Sequence, residues 1–293
     1  MRKAIGAGSF YPANAKELKQ QIKNSFLGEF GPKEMPRKGS KKVYGAIAPH
    51  AGYIYSGRCA AWAYKAIAEA EKADTFIILG TNHTGYAESC FAVSTEDFET
   101  PLGIVRNDKE FSQVLLEAKK MRFSIDETQG DKMAHQQEHS IEVQLPFLQF
   151  IFQDKFKIVP VICQIAYDKS YEDFAKLIAG TAKKLKRKIC IIASSDFTHY
   201  GISYGFVPFA SDVKKNLYEL DNKAIELISK FKTKEFLDYA CRTTICGAGA
   251  IASAMEICKM LGSEKAELLK YYTSGDISGD YNTAVGYASI LFK

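Results

Sequence analysis

The strongest constraint in the sequence is a set of short runs apolar enough to be buried on both faces, alternating with stretches of helical periodicity. Val43-Tyr44-Gly45-Ala46-Ile47-Ala48, Thr75-Phe76-Ile77-Ile78-Leu79-Gly80, Phe156-Lys157-Ile158-Val159-Pro160-Val161-Ile162 and Lys188-Ile189-Cys190-Ile191-Ile192-Ala193 read as strands, and three of them are apolar on both faces. A strand with one face in water alternates polar and apolar residues, so a strand without that alternation needs a covering layer on each side. Helices between the strands supply both layers. The pattern predicts an α/β fold with a mostly parallel central sheet flanked by helices.

The remaining segments fit around that sheet. Asn14, with Glu17 three residues on, predicts a capped helix through about Leu27, and the Pro-, Gly- and Lys-rich stretch from Gly31 to Lys42 reads as a surface loop. Helices are expected from Arg58 to about Lys72, from an Asp108 cap to about Lys120, from Ser140 to about Phe152 around Pro146, and from Tyr171 to Leu185. Cys90-Phe91-Ala92-Val93 reads as a short third strand. The final third holds helices near Asp212–Lys230, Thr233–Ala240 and Gly247–Met260, then alternating strands at Leu268–Ser274 and Thr283–Leu291 joined by a Gly- and Asp-rich turn. That hairpin is expected to add antiparallel strands to the same sheet, giving a single domain over residues 1–293.

Composition removes several functional classes. With 46% hydrophobic and 25% charged residues the chain is that of a folded protein, and its net charge of +5 comes from scattered lysines and arginines rather than a stripe that would track nucleic acid. A membrane helix needs about 18 consecutive apolar residues, far more than any run here, and no apolar h-region follows the first residues. Seven cysteines without a C-x-x-C pair suit a reducing compartment. The expected location is cytoplasmic.

Histidines mark the candidate site. His50 follows the first strand, His83 follows the second by three residues, and Asp196 and His199 follow the strand ending at Ala193. Ligands bind at the carboxyl ends of parallel strands, where loops diverge and leave a crevice. Any one histidine alone reads as an ordinary core or surface side chain; three at equivalent positions are harder to explain that way. Thr243-Thr244-Ile245-Cys246-Gly247-Ala248-Gly249-Ala250 puts Cys246 at the amino end of an expected helix, where the dipole favours a thiolate that can act as nucleophile or metal ligand. The same run reads equally well as a cysteine in a close helix contact permitted by Gly247 and Gly249. His135-Gln136-Gln137-Glu138-His139 matches the H-x-x-E-H pattern of inverted zinc peptidases, but that chemistry needs both histidines on one helical face. The helical pattern begins only at Ile141, with His139 or Ser140 as its cap, so the two histidines are expected to straddle a helix boundary.

Gly8-Ser9-Phe10-Tyr11-Pro12, Ala48-Pro49-His50-Ala51-Gly52-Tyr53, Leu79-Gly80-Thr81-Asn82-His83, Glu138-His139-Ser140-Ile141-Glu142, Ser194-Ser195-Asp196-Phe197-Thr198-His199-Tyr200-Gly201 and Ile245-Cys246-Gly247 occur in the order and approximate spacing of the Memo family. The chain resembles that family over almost its whole length. The family is similar in fold to class III extradiol dioxygenases, in which two histidines and a glutamate hold a non-haem iron. The resemblance implies that His50 and His83 are metal ligands and that Cys246 stands in place of the carboxylate. The implied cofactor is one transition-metal ion, copper, iron or zinc, and a thiolate shifts the preference toward copper(I) or zinc. The resemblance further implies His199 as an acid–base group, Asp196 as a residue that orients or charges the pocket, and Glu138 and His139 in the same cleft, with His139 among the catalytic candidates. Two functions are implied. One is a dioxygenase-like, metal-dependent oxidoreductase acting on a small aromatic. The other is a non-catalytic scaffold whose vestigial site binds a partner peptide or protein. The prokaryotic branch of the family also implies an AMMECR-type protein and a radical SAM enzyme as partners. Tyr53, Tyr55, Tyr86 and Tyr200, in the loops of the expected cleft, suit either function.

Overall fold

The runs without polar alternation form the middle of one mixed sheet. In the computed structural model, which describes residues 1–118, 124–166 and 169–293, the elements are α1 (Ala15–Leu27), β1 (Gly45–Ala48), α2 (Tyr53–Ala68), β2 (Thr75–Thr81), β3 (Phe91–Val93), β4 (Phe98–Thr100), β5 (Gly103–Val105), α3 (Lys109–Leu116), β6 (Ile125–Asp126), α4 (Gln129–Gln137), α5 (Leu145–Phe152), β7 (Lys157–Cys163), α6 (Ser170–Leu185), β8 (Ile189–Ser194), β9 (His199–Tyr200), α7 (Val213–Ser229), α8 (Thr233–Ala240), α9 (Ala248–Met260), β10 (Ala266–Thr273), α10 (Ser274–Ser278) and β11 (Ala284–Phe292). The sheet order is β10-β11-β1-β8-β2-β7-β3-β6, with β9 paired to β11, while β4 and β5 form a separate antiparallel pair. The centre, β1-β8-β2-β7, is parallel.

Both faces are covered, as the absence of alternation requires. Ile47, Ile77, Leu79 and Ile191 face a layer that includes α3, α6 and α9, whereas Ala46, Phe76, Ile78 and Ile192 face α1, α2 and α5. Each buried Ile, Leu or Phe contributes roughly 1.5–3 kcal/mol to the burial that holds these layers together. Among the described residues no helix is long and apolar enough to cross a membrane.

Several elements depart from the sequence reading. β3 runs antiparallel to β7, because no crossover helix lies between β2 and β3 to return the chain to the starting edge. The C-terminal pair does extend the main sheet, with β11 antiparallel to β1, but the turn between its strands contains α10, capped by a reciprocal Thr273–Asp276 box. Helix α2 starts at Tyr53 rather than Arg58. Asp108 caps α3, which ends at Leu116; the expected continuation toward Lys120 runs into residues outside those described. The stretch from Ser140 begins with a 3-10 turn at Glu142–Gln144 before α5, and Pro146 sits in the first turn of α5, where its missing N–H has no helical partner to lose.

Candidate metal centre

Parallel register brings the loops together. Ala48 lies beside Ser194 and Leu79 beside Ala193, so the segments carrying His50, His83 and Asp196 leave the sheet at one edge. Two glycines allow neighbouring elements to close on that edge. A Cβ on Gly247 would lie 2.5 Å from Ser195 Cβ, and one on Gly80 would lie 2.5 Å from Ile141 Cγ1. The Gly247 N–H donates to Ser195 Oγ at 3.0 Å, fixing the turn that presents Cys246 at the start of α9.

His50, His83 and Cys246 each offer one ligand atom, and these atoms lie within 4.8 Å of one another. Cys246 Sγ is 3.3 Å from His50 Nε2. Hydrogen bonds on the far side of each ring decide which nitrogen points inward. Ser194 Oγ donates its one proton to Ser140 O at 2.7 Å and accepts from Gln144 Nε2 at 2.8 Å. It can therefore only accept from His50 Nδ1, 3.0 Å away, so that Nδ1 carries the proton. His83 Nδ1 donates to Glu138 Oε1 at 2.9 Å. Burial works against charge on Glu138, but the hydrogen bond and charge of His83 hold it well below the ordinary carboxylate range, as an acceptor only. Both Nε2 atoms are left to face the sulfur.

The electrostatics favour a thiolate there. Burial would raise the Cys246 pKa, but the charge of His50 and hydrogen bonds from His50 and His83 bring it down to about 6. Burial likewise opposes charge on His83, and its hydrogen bonds to Cys246 and Glu138 overcome this and lift it to about 10. A cation binding at this point would displace the proton shared between sulfur and imidazole. Two Nε2 atoms and a thiolate, with both outer nitrogens tied back, form a donor set that fits a transition-metal ion.

A second group, His83, Glu138 and His139, is equally compact but does not fit one. The His83 and His139 rings are stacked at 4.8 Å and 15°, so their in-plane lone pairs run side by side. His50 and His83 instead meet edge to face at 88°.

The other candidate residues surround this point. His199 Nδ1 lies 3.0 Å from both Phe197 O and Thr244 O. Both are acceptors, so Nδ1 carries the proton and Nε2 is free to accept one. Thr244 Oγ1 accepts from His199 N and donates to His199 O, so the segment that presents Cys246 also grips His199. Asp196 is buried, accepts from His50 N and Ala51 N through Oδ1, and holds Oδ2 4.0 Å from His50 Nε2; burial raises its pKa. His139 is sandwiched between Phe10, stacked at 4.1 Å, and His83, and burial brings its pKa down to about 3, leaving it neutral. All line a cleft of about 590 Å³ with Tyr55, Tyr204 and Tyr287.

Of the four loop tyrosines, only Tyr55 lines the cleft. Tyr53 and Tyr200 are buried, their hydroxyls donating to Val143 O and Phe209 O, and Tyr86 is exposed outside the lining. The H-x-x-E-H pair does straddle a helix boundary, but at the end of a helix the sequence reading missed: α4 is capped by Thr128 and Asp131 and stops at Gln137. His135 points into the core, where its Nε2 donates to Ala92 O at 2.8 Å, and burial lowers its pKa to about 4. The N-terminal segment is tied to the same region. Glu142 accepts from Ile5 N, Gly6 N and Tyr11 OH and pairs with the buried Arg2, whose guanidinium also donates to His135 O and Glu138 O. That lashing holds Phe10 against His139.

The sequence matches the Memo-like protein family over residues 2–291. The chain belongs to the Memo family. It is similar to the MEMO1 family protein of Methanopyrus kandleri, 40% identical over 292 residues that cover 98% of this chain and 97% of that one. It is also similar to those of Nitrosopumilus maritimus, 38% identical over all of this chain and 99% of the relative, and Pyrococcus furiosus, 37% identical over the same shares. In this Memo-family chain sequence reasoning missed Ser194 and Gln144, which set the His50 tautomer, and Thr244, which sets that of His199. Ser194 and Thr244 lie within the runs that carry Asp196 and Cys246, where position was the available signal; Gln144 sits in an apolar stretch and carries no signal.

Proposed function

We propose that the chain is a metal-dependent oxidoreductase, with a mononuclear transition metal held by His50 Nε2, His83 Nε2 and Cys246 Sγ. The observation that carries this reading is that three donor atoms converge while the outer nitrogen of each imidazole is tied to Ser194 or Glu138. A redox-active ion bound there would supply electron transfer and Lewis acidity. His199 Nε2 is the group to take a proton from a substrate hydroxyl, and Asp196 Oδ2 an acceptor for a hydrogen bond from it. Phe10 and His139 close one wall against water. The thiolate argues for copper(I) or zinc over iron(II), and therefore for weak dioxygenase turnover at most.

Metal content after anaerobic purification, followed by O₂ consumption with catechols, tests the proposal. The expected result is near-stoichiometric copper or zinc that is lost in Cys246→Ala. Iron retained equally by wild type and Cys246→Ala, with catechol cleavage in both, would overturn the thiolate's role.

A second reading, a scaffold for a partner peptide or protein, rests on the cleft rim. Ile54 and Ile202, close in sequence to the cleft residues Tyr55 and Tyr204, are 59% and 89% exposed. An AMMECR-type or radical SAM protein would be a partner under that reading.

A further inference from the structure

We propose that the cleft selects small phenols or catechols carrying an ammonium group, which deepens the oxidoreductase reading and rests on it. The chain has a net charge of +5 and 39 lysines and arginines, yet among the described residues lining the cleft none is lysine or arginine. Two carboxylates stand on its wall, one at each end. Asp196 is buried beside the donor set, and its Oδ2 receives neither of its backbone hydrogen bonds. Asp280 is exposed at the rim, and both of its hydrogen bonds, from Asn282 N and Nδ2, fall on Oδ1. At each end the second carboxylate oxygen is left to accept from a ligand, with His50 Nε2 4.0 Å from that of Asp196.

Aromatic faces lie between the two. Phe10 stacks on His139, Tyr204 meets His199 edge to face at 5.0 Å, and Tyr55 and Tyr287 line the same space. A flat ring fits among these surfaces with its hydroxyl toward the donor set, where Asp196 Oδ2 and His199 Nε2 accept hydrogen bonds. Its tail then points to the rim. An ammonium there is attracted both by Asp280 and by the tyrosine faces, whereas a carboxylate or phosphate meets Asp280 with no lysine or arginine on the lining to offset it.

Calorimetry with three catechols that differ only in the tail tests this: dopamine, 4-methylcatechol and 3,4-dihydroxyphenylacetate. The full chain is used in zinc-loaded form, where no turnover occurs, and without added metal. Dopamine is expected to bind roughly tenfold more tightly than the carboxylate, since one exposed carboxylate attracts one tail and repels the other, with 4-methylcatechol between them. Asp280→Asn should shrink the spread to about threefold or less, leave 4-methylcatechol unchanged, and, because Asp280 is exposed, leave the melting temperature unchanged. Equal or tighter binding of the carboxylate, an amine preference that survives Asp280→Asn, or no binding of any of the three in the low millimolar range would each overturn the proposal. Failure to bind zinc would count against the oxidoreductase reading alone, and the amine preference of the metal-free protein would then decide this one by itself.

Discussion

Glu138→Gln tests whether His83 is presented to a metal by its neighbour. The carboxylate, itself buried, accepts from three donors: His83 Nδ1 at 2.9 Å and Ser140 N at 2.8 Å on one oxygen, and His83 N at 2.9 Å on the other. An amide has only one acceptor oxygen, so however it turns, its NH₂ faces at least one of these N–H groups. An unpaired buried donor costs roughly 1–3 kcal/mol of stability. Loss of a carboxylate supporting a ligating histidine weakens metal binding by roughly 10- to 100-fold, about 1.4–2.7 kcal/mol. Cobalt(II) titration followed by its ligand-field absorption reads the affinity, and thermal unfolding reads the stability. Asp131→Asn is the matched control. Asp131 is also buried and accepts from Glu88 N, Ser89 N, Ser89 Oγ and Thr128 N, so its loss should lower stability by a similar amount without changing affinity. If Glu138→Gln keeps cobalt affinity within about twofold, or if Asp131→Asn loses as much, Glu138 does not present His83 to the metal.

His83→Ala should abolish metal uptake, whereas His135→Ala should destabilise the fold and leave metal stoichiometry intact; the reverse would revive the peptidase pattern. Gly247→Ala drives a Cβ to 2.5 Å from Ser195 Cβ, so it should displace the Cys246 turn, cost about 1–3 kcal/mol and weaken metal binding, and an unchanged affinity would show that the turn has room to spare. Burial pushes Asp221 up to about 6 against hydrogen bonds from Thr198 and Tyr271. A raised folded pKa means that its stabilising contribution is complete below about pH 4 and is lost as pH rises through about 6. Asp221→Asn should therefore flatten the fall in stability between these limits by up to about 3 kcal/mol, measured by urea unfolding across that range; an unchanged slope would assign the titration to another group. Phe10→Ala removes the stack on His139 and should cost about 0.5–1.5 kcal/mol beyond the lost burial, read by a double-mutant cycle with His139→Ala.

What could be read in the sequence followed from periodicity and chain order. Burial on both faces of the Thr75 and Lys188 runs implied the parallel centre, and His50, His83 and Asp196 just after strands implied one shared edge. The elements missed are those in which a few local residues override weak periodicity. A Thr128–Asp131 box makes α4 from a polar segment, and a Thr273–Asp276 box makes α10 inside what reads as a turn. Within the site, the ligand candidates stood out because histidine and cysteine are scarce and sat at loop starts. Gln144 could not stand out: its role depends on meeting Ser194, fifty residues away, and only the folded register brings the two together.

The position of β11 fixes when the site can exist. The strand lies inside the sheet between β10 and β1, and Val285 and Tyr287 from it line the cleft, while Phe10 reaches the same cleft from near the start of the chain. During synthesis at about 5–20 residues per second, β1 and its histidine wait many seconds for the partner strand that encloses them. Such sequence-distant pairing makes for slow assembly. A metal taken up at His50, His83 and Cys246, as proposed, would therefore arrive late, after residue 292 has cleared the ribosome, and until then the Cys246 thiol would be open to oxidants.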